Sequence, residues 1–401
     1  MLTMRIPTVN FKFLAGALSA GAIALGASTG AHAATVTPQQ IVDDGATGVQ
    51  LQYKEGSTIR NETAGAANSK GAPIRDQSHF RAGSVSKIVV SSALLKLVEQ
   101  GKVSLDAPID TYLPGAYTFG KEVTVRQILN QTSGIPTAAY EGQFPYDAED
   151  VVTLKGFERY MRENRKSKDI SQYINTTGLN ATPGAQFQYS NANYFIASQL
   201  ITAASKTPYQ VYVAKNIFKP LGMRDSSFPT HRLSLPVPFT SGYQPSEFYS
   251  GTPGGEPVDL TRQSGSFYDG SGNLVTTTGD LNKFMSALSG AQVISKESLA
   301  LMQTSGAPEA TSYGLGMMQF NTPCGVVRGH GGNVYGYTTS SYYLGQKAVS
   351  ISVTEGSAPY ASHTNPTLQL AAETLCPGTE LNLDTSQAED AARASGVQAQ
   401  R

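Results

Sequence analysis

The chain has 401 residues, with 30 Lys+Arg balanced by 30 Asp+Glu, a formal net charge of zero and 15% charged residues. Such a balance leaves no electrostatic footprint for a nucleic-acid partner, and the length is ample for a large buried core. Forty glycines and 20 tyrosines with no tryptophan suit a loop-rich globular protein, but composition goes no further.

The first element in chain order reads as an export signal. Arg5 and Lys12 give a basic start, Phe13 to Ala27 is uncharged and rich in Ala, Gly and Leu, and Ala31-His32-Ala33 offers a small-x-small cleavage pattern. Residues 1–33 are therefore expected to be removed, with the mature protein secreted or periplasmic. The apolar run is too short to span a bilayer comfortably, so no stable membrane insertion is expected. Gly26-Ala27-Ser28-Thr29-Gly30 matches the nucleophile-elbow pattern, but it lies inside this segment, between no strand and no helix, and is a coincidence.

Gly48 to Tyr53 and Ser57 to Asn61 read as two strands around a Glu55-Gly56 turn, and a short strand around His79-Phe80-Arg81 follows. Next comes Ser84-Val85-Ser86-Lys87, at the head of an amphipathic run (Ile88, Val89, Leu94, Leu95, Leu97, Val98) that stops at Gly101. No other lysine in the chain has a serine three residues before it. On a helix those positions share one face, which sets the Lys87 amine beside the Ser84 hydroxyl. A serine becomes a nucleophile only when a base takes its proton. Taken alone, the pair more often describes a surface Ser and Lys that share one helix face.

From Leu105 to about Gly306 the pattern changes to short helices joined by Gly/Pro-rich loops, among them Val125 to Leu129, Phe195 to Ala204, Val211 to Ile217 and Leu281 to Leu288. Thr277 or Thr278, followed by Asp280, caps the last of these. Within this region Tyr189-Ser190-Asn191 places a phenol and a carboxamide two residues apart on a non-helical stretch, so that both can face one side. A phenol beside an ammonium gives up its proton more readily, and an amide can hold a substrate carbonyl or the lysine.

Strand character returns in Val326 to His330, Tyr337 to Leu344 and Ala348 to Thr354, with Gly345-Gln346 as the last hairpin turn and a closing helix from Pro366 to about Leu375. On the first of these strands, His330-Gly331-Gly332 offers a hydrogen-bonding ring beside glycines that let an extended ligand lie against the strand edge. The tail at 381–401 is Ala-rich and polar with no apolar period, and is expected to be disordered. The ends of the mature chain thus supply strands and the middle supplies helices. The expected division is an α/β sheet region, 34–104 with 306–380, and a helical region, 105–305, in an α+β fold. Cys324 and Cys376 are an even pair in an exported chain, which favours a disulfide; in the chain-entropy model such a loop adds up to about 4 kcal/mol. No CxxC or HxxxH spacing accompanies them, which argues against a zinc site or a Cys nucleophile; no metal or cofactor is expected.

The order Ser-x-x-Lys, Tyr-x-Asn and His-x-Gly on a late strand, from about Val49 to Cys376, resembles the penicillin-recognising serine hydrolases: D-alanyl-D-alanine carboxypeptidases, class C β-lactamases, and related esterases and D-amino-acid amidases. The phrases 80–87, Val123 to Leu129, Thr132 to Pro136 and Ile217 to Met223 carry the same resemblance. It is nearest to the secreted carboxypeptidases, which share Tyr-Ser-Asn, Tyr-Gly-Leu-Gly (here Tyr313 to Gly316) and the two cysteines. The resemblance implies a β-lactamase/transpeptidase-like fold, an antiparallel sheet flanked by helices with an inserted helical region. It implies Ser84 as nucleophile, Lys87 and Tyr189 as the proton-handling pair, and Asn191, His330, Gly332 and Asn333 as substrate-binding residues. The backbone N–H groups of Ser84 and Asn333 would form the oxyanion hole. A monomer acting on a peptide or β-lactam-like small substrate through an acyl-enzyme is the expected protein. The alternatives are a class C-like β-lactamase, an esterase, a D-amino-acid amidase, or a non-catalytic protein that binds penicillin or wall peptides.

Two departures bear on the substrate. The carboxypeptidases carry an arginine after Tyr-Gly-Leu-Gly and read His-Thr-Gly-Thr on the strand; here Met317, Met318 and His330-Gly331-Gly332-Asn333 stand instead. A cation and two hydroxyls suited to a terminal carboxylate are missing, and a buried carboxylate without a cation is costly. Arg328, two residues before His330, is placed by strand alternation on the same face. Gln131 stands where many relatives carry histidine before Thr-Ser-Gly.

Overall fold

Alternation along the strands decides how the layers assemble. The computed structural model describes residues 36–136, 154–245, 257–304, 313–355 and 364–381; the expected signal peptide and the tail beyond 381 lie outside the described residues. The chain begins with α1 (Pro38–Asp43), β1 (Gly48–Glu55), β2 (Thr58–Gly65) and β3 (Phe80–Arg81), then a short 3₁₀ turn at Gly83–Val85 that runs into α2 (Ser86–Glu99). The middle holds α3 (Val125–Leu129), α4 (Leu154–Arg162), α5 (Ser167–Thr177), α6 (Asn191–Ser205) and α7 (Tyr209–Val213). Three two-residue strands follow, β4 (Tyr243–Gln244), β5 (Val258–Asp259) and β6 (Val275–Thr276), with α8 (Thr278–Ser289) and α9 (Lys296–Gln303). The last elements are β7 (Met318–Thr322), β8 (Gly325–Val334), β9 (Tyr337–Leu344), β10 (Lys347–Thr354) and α10 (Thr364–Leu375).

Six strands form one antiparallel sheet in the order β2-β1-β10-β9-β8-β7. The fold is α+β, the β-lactamase/transpeptidase-like arrangement, with first and last strands side by side. On one face Val49, Leu51, Val349 and Ile351 pack against Ile41 of α1 and Leu368, Ala371 and Leu375 of α10. The opposite face is polar and yet buried: Gln50, Gln52, His330, Ser341, Ser350 and Ser352 all point toward the helical side. Asn282 of α8 satisfies part of that face, donating to Gln52 O at 2.7 Å and accepting from Ser350 Oγ at 2.8 Å. Ser341 and Ser350 also bond to each other across β9 and β10 at 2.8 Å, whereas among the described residues the Gln50 and Ser352 side chains are buried without a hydrogen-bond partner.

Against that face lies α2, whose residues from Ser86 through Leu95, and Leu97, are buried. The sequence reading took this helix as amphipathic. From Ser86 to Leu95 it is enclosed, because the sheet lies on one flank and α6 and α7 on others, and only its last turn, with Glu99, reaches solvent. Thr277 caps α8 by accepting from Asp280 N at 3.2 Å, one of the two caps expected. Cys324, in the β7–β8 turn, is disulfide-bonded to Cys376 just past α10, with Cα atoms 5.8 Å apart.

Candidate active site

Ser84 sits on the 3₁₀ turn, not in the first turn of α2, but turn and helix are continuous, so the three-residue spacing still stacks the two side chains. Lys87 Nζ donates to Ser84 Oγ at 2.8 Å. It donates also to Asn191 Oδ1 at 2.8 Å and to the backbone oxygen of Ser271 at 2.9 Å. Both Ser84 (3% exposed) and Lys87 (0%) are buried. The arrangement has a chemical consequence. A neutral amine has two N–H bonds and one lone pair. As an ammonium the group donates to all three partners; in its neutral form, with the N–H bonds given to Asn191 and Ser271, the lone pair would face Ser84 Oγ and could take its proton.

Asn191 is not on a non-helical stretch: Ser190 is the N-cap of α6 and Asn191 its first residue. The helix starts four residues earlier than the sequence suggested, which fixes the carboxamide rigidly over α2. Tyr189, one residue before the cap, is buried with its ring centroid 4.8 Å from Lys87 Nζ. Gln131 fixes this segment. Its backbone adopts the left-handed region (φ 63°), its Oε1 accepts from Ser190 N at 3.0 Å and from Asn193 Nδ2, and its carbonyl accepts from Gln188 N at 2.8 Å.

The third segment is β8. Because β7 comes before it, His330 lies on the second C-terminal strand rather than the first. Strand β7 pairs with β8 only up to Gly329, so among the described residues the stretch from His330 to Val334 has no strand on that edge. There β8 closes directly on the Ser84 turn. A Cβ on Gly332 would fall 2.1 Å from Ala82 O and 2.9 Å from Ser84 N, and one on Gly83 would fall 2.8 Å from Asn333 N. Only glycines permit that approach, and it sets the backbones of Ser84 and Asn333 side by side.

His330 is fully buried, with Tyr189 and Tyr313 rings at 6.4 and 5.7 Å. Its Nδ1 donates to Gly331 O, so Nε2 accepts from Tyr313 Oη at 3.2 Å. Burial first, and the nearby Lys87 charge second, lower its pKa from 6.5 to about 3. The ring is therefore a neutral hydrogen-bonding post at neutral pH and no reservoir of protons. Tyr313 is held protonated by burial.

Met317 is buried and receives Tyr343 Oη on its sulfur at 3.7 Å, while Met318 opens β7 opposite Gly329. Neither replaces the missing cation. Arg328 does share the His330 face of β8, half-buried opposite Tyr343, and its Nη1 reaches Val326 O at 3.4 Å. Ser84, Lys87, Tyr189 and Asn191 thus meet around one amine, with His330 beside the Tyr189 ring and Gly332 and Asn333 against the Ser84 turn. Two contributors were missed: the Ser271 carbonyl, which has no side-chain signature, and Gln131, whose only signal was its departure from the usual histidine.

The sequence matches the family model described as Beta-lactamase over residues 32–372. Among curated proteins, PbpX of Bacillus subtilis (strain 168) is 28% identical over 276 residues, 68% of this chain and 62% of that protein. Protein flp of Staphylococcus aureus (strain N315) is 29% identical over 183 residues, 44% of this chain and 34% of that protein, so the match spans less than two thirds of either relative. Among solved structures, a D-stereospecific amidohydrolase from Streptomyces sp. superposes with a TM-score of 0.75 and 27% identity, over 88% of this chain and all of that one. A D-amino acid amidase from Ochrobactrum anthropi SV3 has the same fold, with a TM-score of 0.71 at 22% identity over 84% and 95% of the two chains. The chain belongs to the Beta-lactamase family of serine hydrolases.

Proposed function

We propose that the protein is an exported D-stereospecific amidohydrolase or D-peptidase that works through an acyl-enzyme on Ser84. The observation that carries this reading is the placement of Lys87 Nζ against Ser84 Oγ with its other bonds taken by Asn191 and Ser271. Lys87 takes the Ser84 proton as Oγ bonds to the substrate carbonyl carbon. The oxyanion rests on the N–H groups of Ser84 and Asn333, each such donor being worth about 10²–10³ in rate. The proton then passes from Lys87, with the Tyr189 phenol beside it, to the leaving amine as the C–N bond breaks. Water enters, gives a proton to the same pair, and frees the acid and the serine. The open edge of β8 from His330 to Val334 offers main-chain groups to an extended substrate.

The missing arginine and strand hydroxyls favour substrates without a free terminal carboxylate, such as D-amino-acid amides, over a D-alanyl-D-alanine carboxypeptidase. The likeness to the Streptomyces amidohydrolase supports the same choice. A second reading, the carboxypeptidase, draws on Arg328 as a substitute cation on the His330 face. Steady-state kinetics on D-phenylalanine amide, its L enantiomer and a D-Ala-D-Ala-terminated peptide separate the two. The amidase reading expects kcat/KM for the D-amide to exceed both others by at least tenfold. A preference for the free-carboxylate peptide that disappears in Arg328→Ala establishes the carboxypeptidase instead.

A further inference from the structure

The carbonyl of Ser271 directs the Lys87 amine, yet the Ser271 side chain does not aim it: its Oγ turns back to Tyr268 O at 3.2 Å. The aim comes from three buried residues around it. Tyr209, from α7, donates its hydroxyl to Asp269 Oδ1 at 2.6 Å. The Tyr209 hydroxyl oxygen in turn accepts from Gly270 N at 3.1 Å and from Asn273 Nδ2 at 2.8 Å. Asn273 Oδ1 receives Gly270 N as well, at 3.0 Å. Two residues before Ser271 and two after it, the loop is therefore tied to one phenol. Beyond Asn273 the loop joins the catalytic segment again, since Leu274 N donates to Ser86 Oγ at 3.0 Å and Leu274 O accepts from Ala82 N at 2.9 Å.

The identity of residue 269 matters. A carboxylate can only accept, so it compels Tyr209 to donate toward it and leaves the phenol lone pairs for Gly270 and Asn273. An amide there could turn its NH₂ to the phenol, and the hydroxyl would then donate to Asn273 Oδ1, 3.1 Å away, instead. No cation lies within ion-pair distance of Asp269 among the described residues, and burial raises its pKa from 3.8 to about 6. A charge kept at that cost in a loop against the active-site lysine points to a task there.

We propose that Asp269, Tyr209 and Asn273 are positioning residues that hold the Ser271 carbonyl on Lys87, and thereby keep the amine's lone pair facing Ser84. This rests on the acyl-enzyme reading. The test uses the full chain carrying [¹³Cε]lysine, with the Lys87 resonance assigned by its loss in Lys87→Arg. For wild type, Tyr209→Phe and Asp269→Asn, three quantities are measured: the Lys87 resonance, the acylation rate constant at saturation with a penicillin, and the half-saturating concentration. Thermal unfolding identifies the folded variants. The expected result is a displaced Lys87 resonance and acylation at least tenfold slower, with half-saturation within twofold of wild type. A role confined to stability would leave the first two unmoved in any variant that folds. If Tyr209→Phe does not fold, Asp269→Asn decides alone. Acylation within twofold of wild type and an unmoved resonance overturn the proposal. Should wild type itself not acylate, the acyl-enzyme reading fails separately, and the resonance still reports whether the three residues hold the amine.

Discussion

At the scale of single residues, the site is a problem of aiming one lone pair. Lys87 is enclosed, and its contacts with Ser84, Asn191 and Ser271 leave the amine little freedom. Lys87→Ala is expected to slow acylation by about 10²–10⁴, the range a positioned general base supplies, with folding retained; stopped-flow acylation checks it. His330 makes a different prediction. Its folded-state pKa near 3 lies below the ordinary 6.5, so between those values the unfolded chain binds the proton more readily. Its neutral burial therefore contributes full stability above about pH 6.5, and that contribution is lost as pH falls toward 3. His330→Asn, facing the same Lys87, Tyr189 and Tyr313, is expected to flatten that part of the stability–pH curve in urea titrations from pH 7 to 4. A curve as steep as wild type would assign the decline to other groups. What could be read from sequence at this scale follows from locality. Ser84 and Lys87 are one helical turn apart, so spacing alone brings them together. Ser271 contributes a backbone oxygen, and only the fold shows where a carbonyl points.

At the scale of elements, the site depends on how closely three segments approach. Strand β8 meets the Ser84 turn at Gly332, where a Cβ would strike Ala82 O. Gly332→Ala is expected to push the Asn333 N–H away and lower kcat by about 10²–10³, the cost of one lost oxyanion donor, while the protein stays folded by circular dichroism. Gln131 has the parallel task for Tyr189 and Asn191. Gln131→Ala leaves the buried Ser190 N–H without its acceptor, a loss of about 1–3 kcal/mol, measurable as a lower urea midpoint together with slower acylation. Strands β9 and β10 were legible because β-branched and aromatic residues run along them, and β1 because Val49, Leu51 and Tyr53 alternate with polar residues. Strand β7 was not: Met318-Gln319-Phe320-Asn321-Thr322 has little intrinsic strand preference and gains its conformation by pairing with β8. The start of α6 was missed for a similar reason, since Tyr-Ser-Asn reads equally well as a turn until the helix behind it is seen.

At the scale of the whole molecule, one sheet carries two unlike faces, an apolar one toward α1 and α10 and a buried polar one toward α2 and α8. The overall topology was legible because strand-rich ends and a helix-rich middle leave few ways to close a sheet. The polar character of the inner face was not, since Gln50, Gln52, Ser350 and Ser352 alternate with apolar residues as they would on a strand facing water. The disulfide fastens the β7–β8 turn to the end of α10 and closes a 52-residue separation. Cys324→Ser with Cys376→Ser is expected to lower unfolding free energy by up to about 4 kcal/mol without changing the acylation rate, by urea denaturation and stopped-flow acylation respectively.

The claim on which all these scales converge is that Ser84 becomes acylated because Lys87 removes its proton. Quenched intact-mass measurement after mixing with a penicillin or an activated phenyl ester, followed by peptide mapping, tests it most directly. The account expects one acyl adduct on the peptide holding Ser84, absent in Ser84→Ala and formed about 10²–10⁴ more slowly in Lys87→Ala. An adduct on another residue, or one that forms in Lys87→Ala at the wild-type rate, would contradict it.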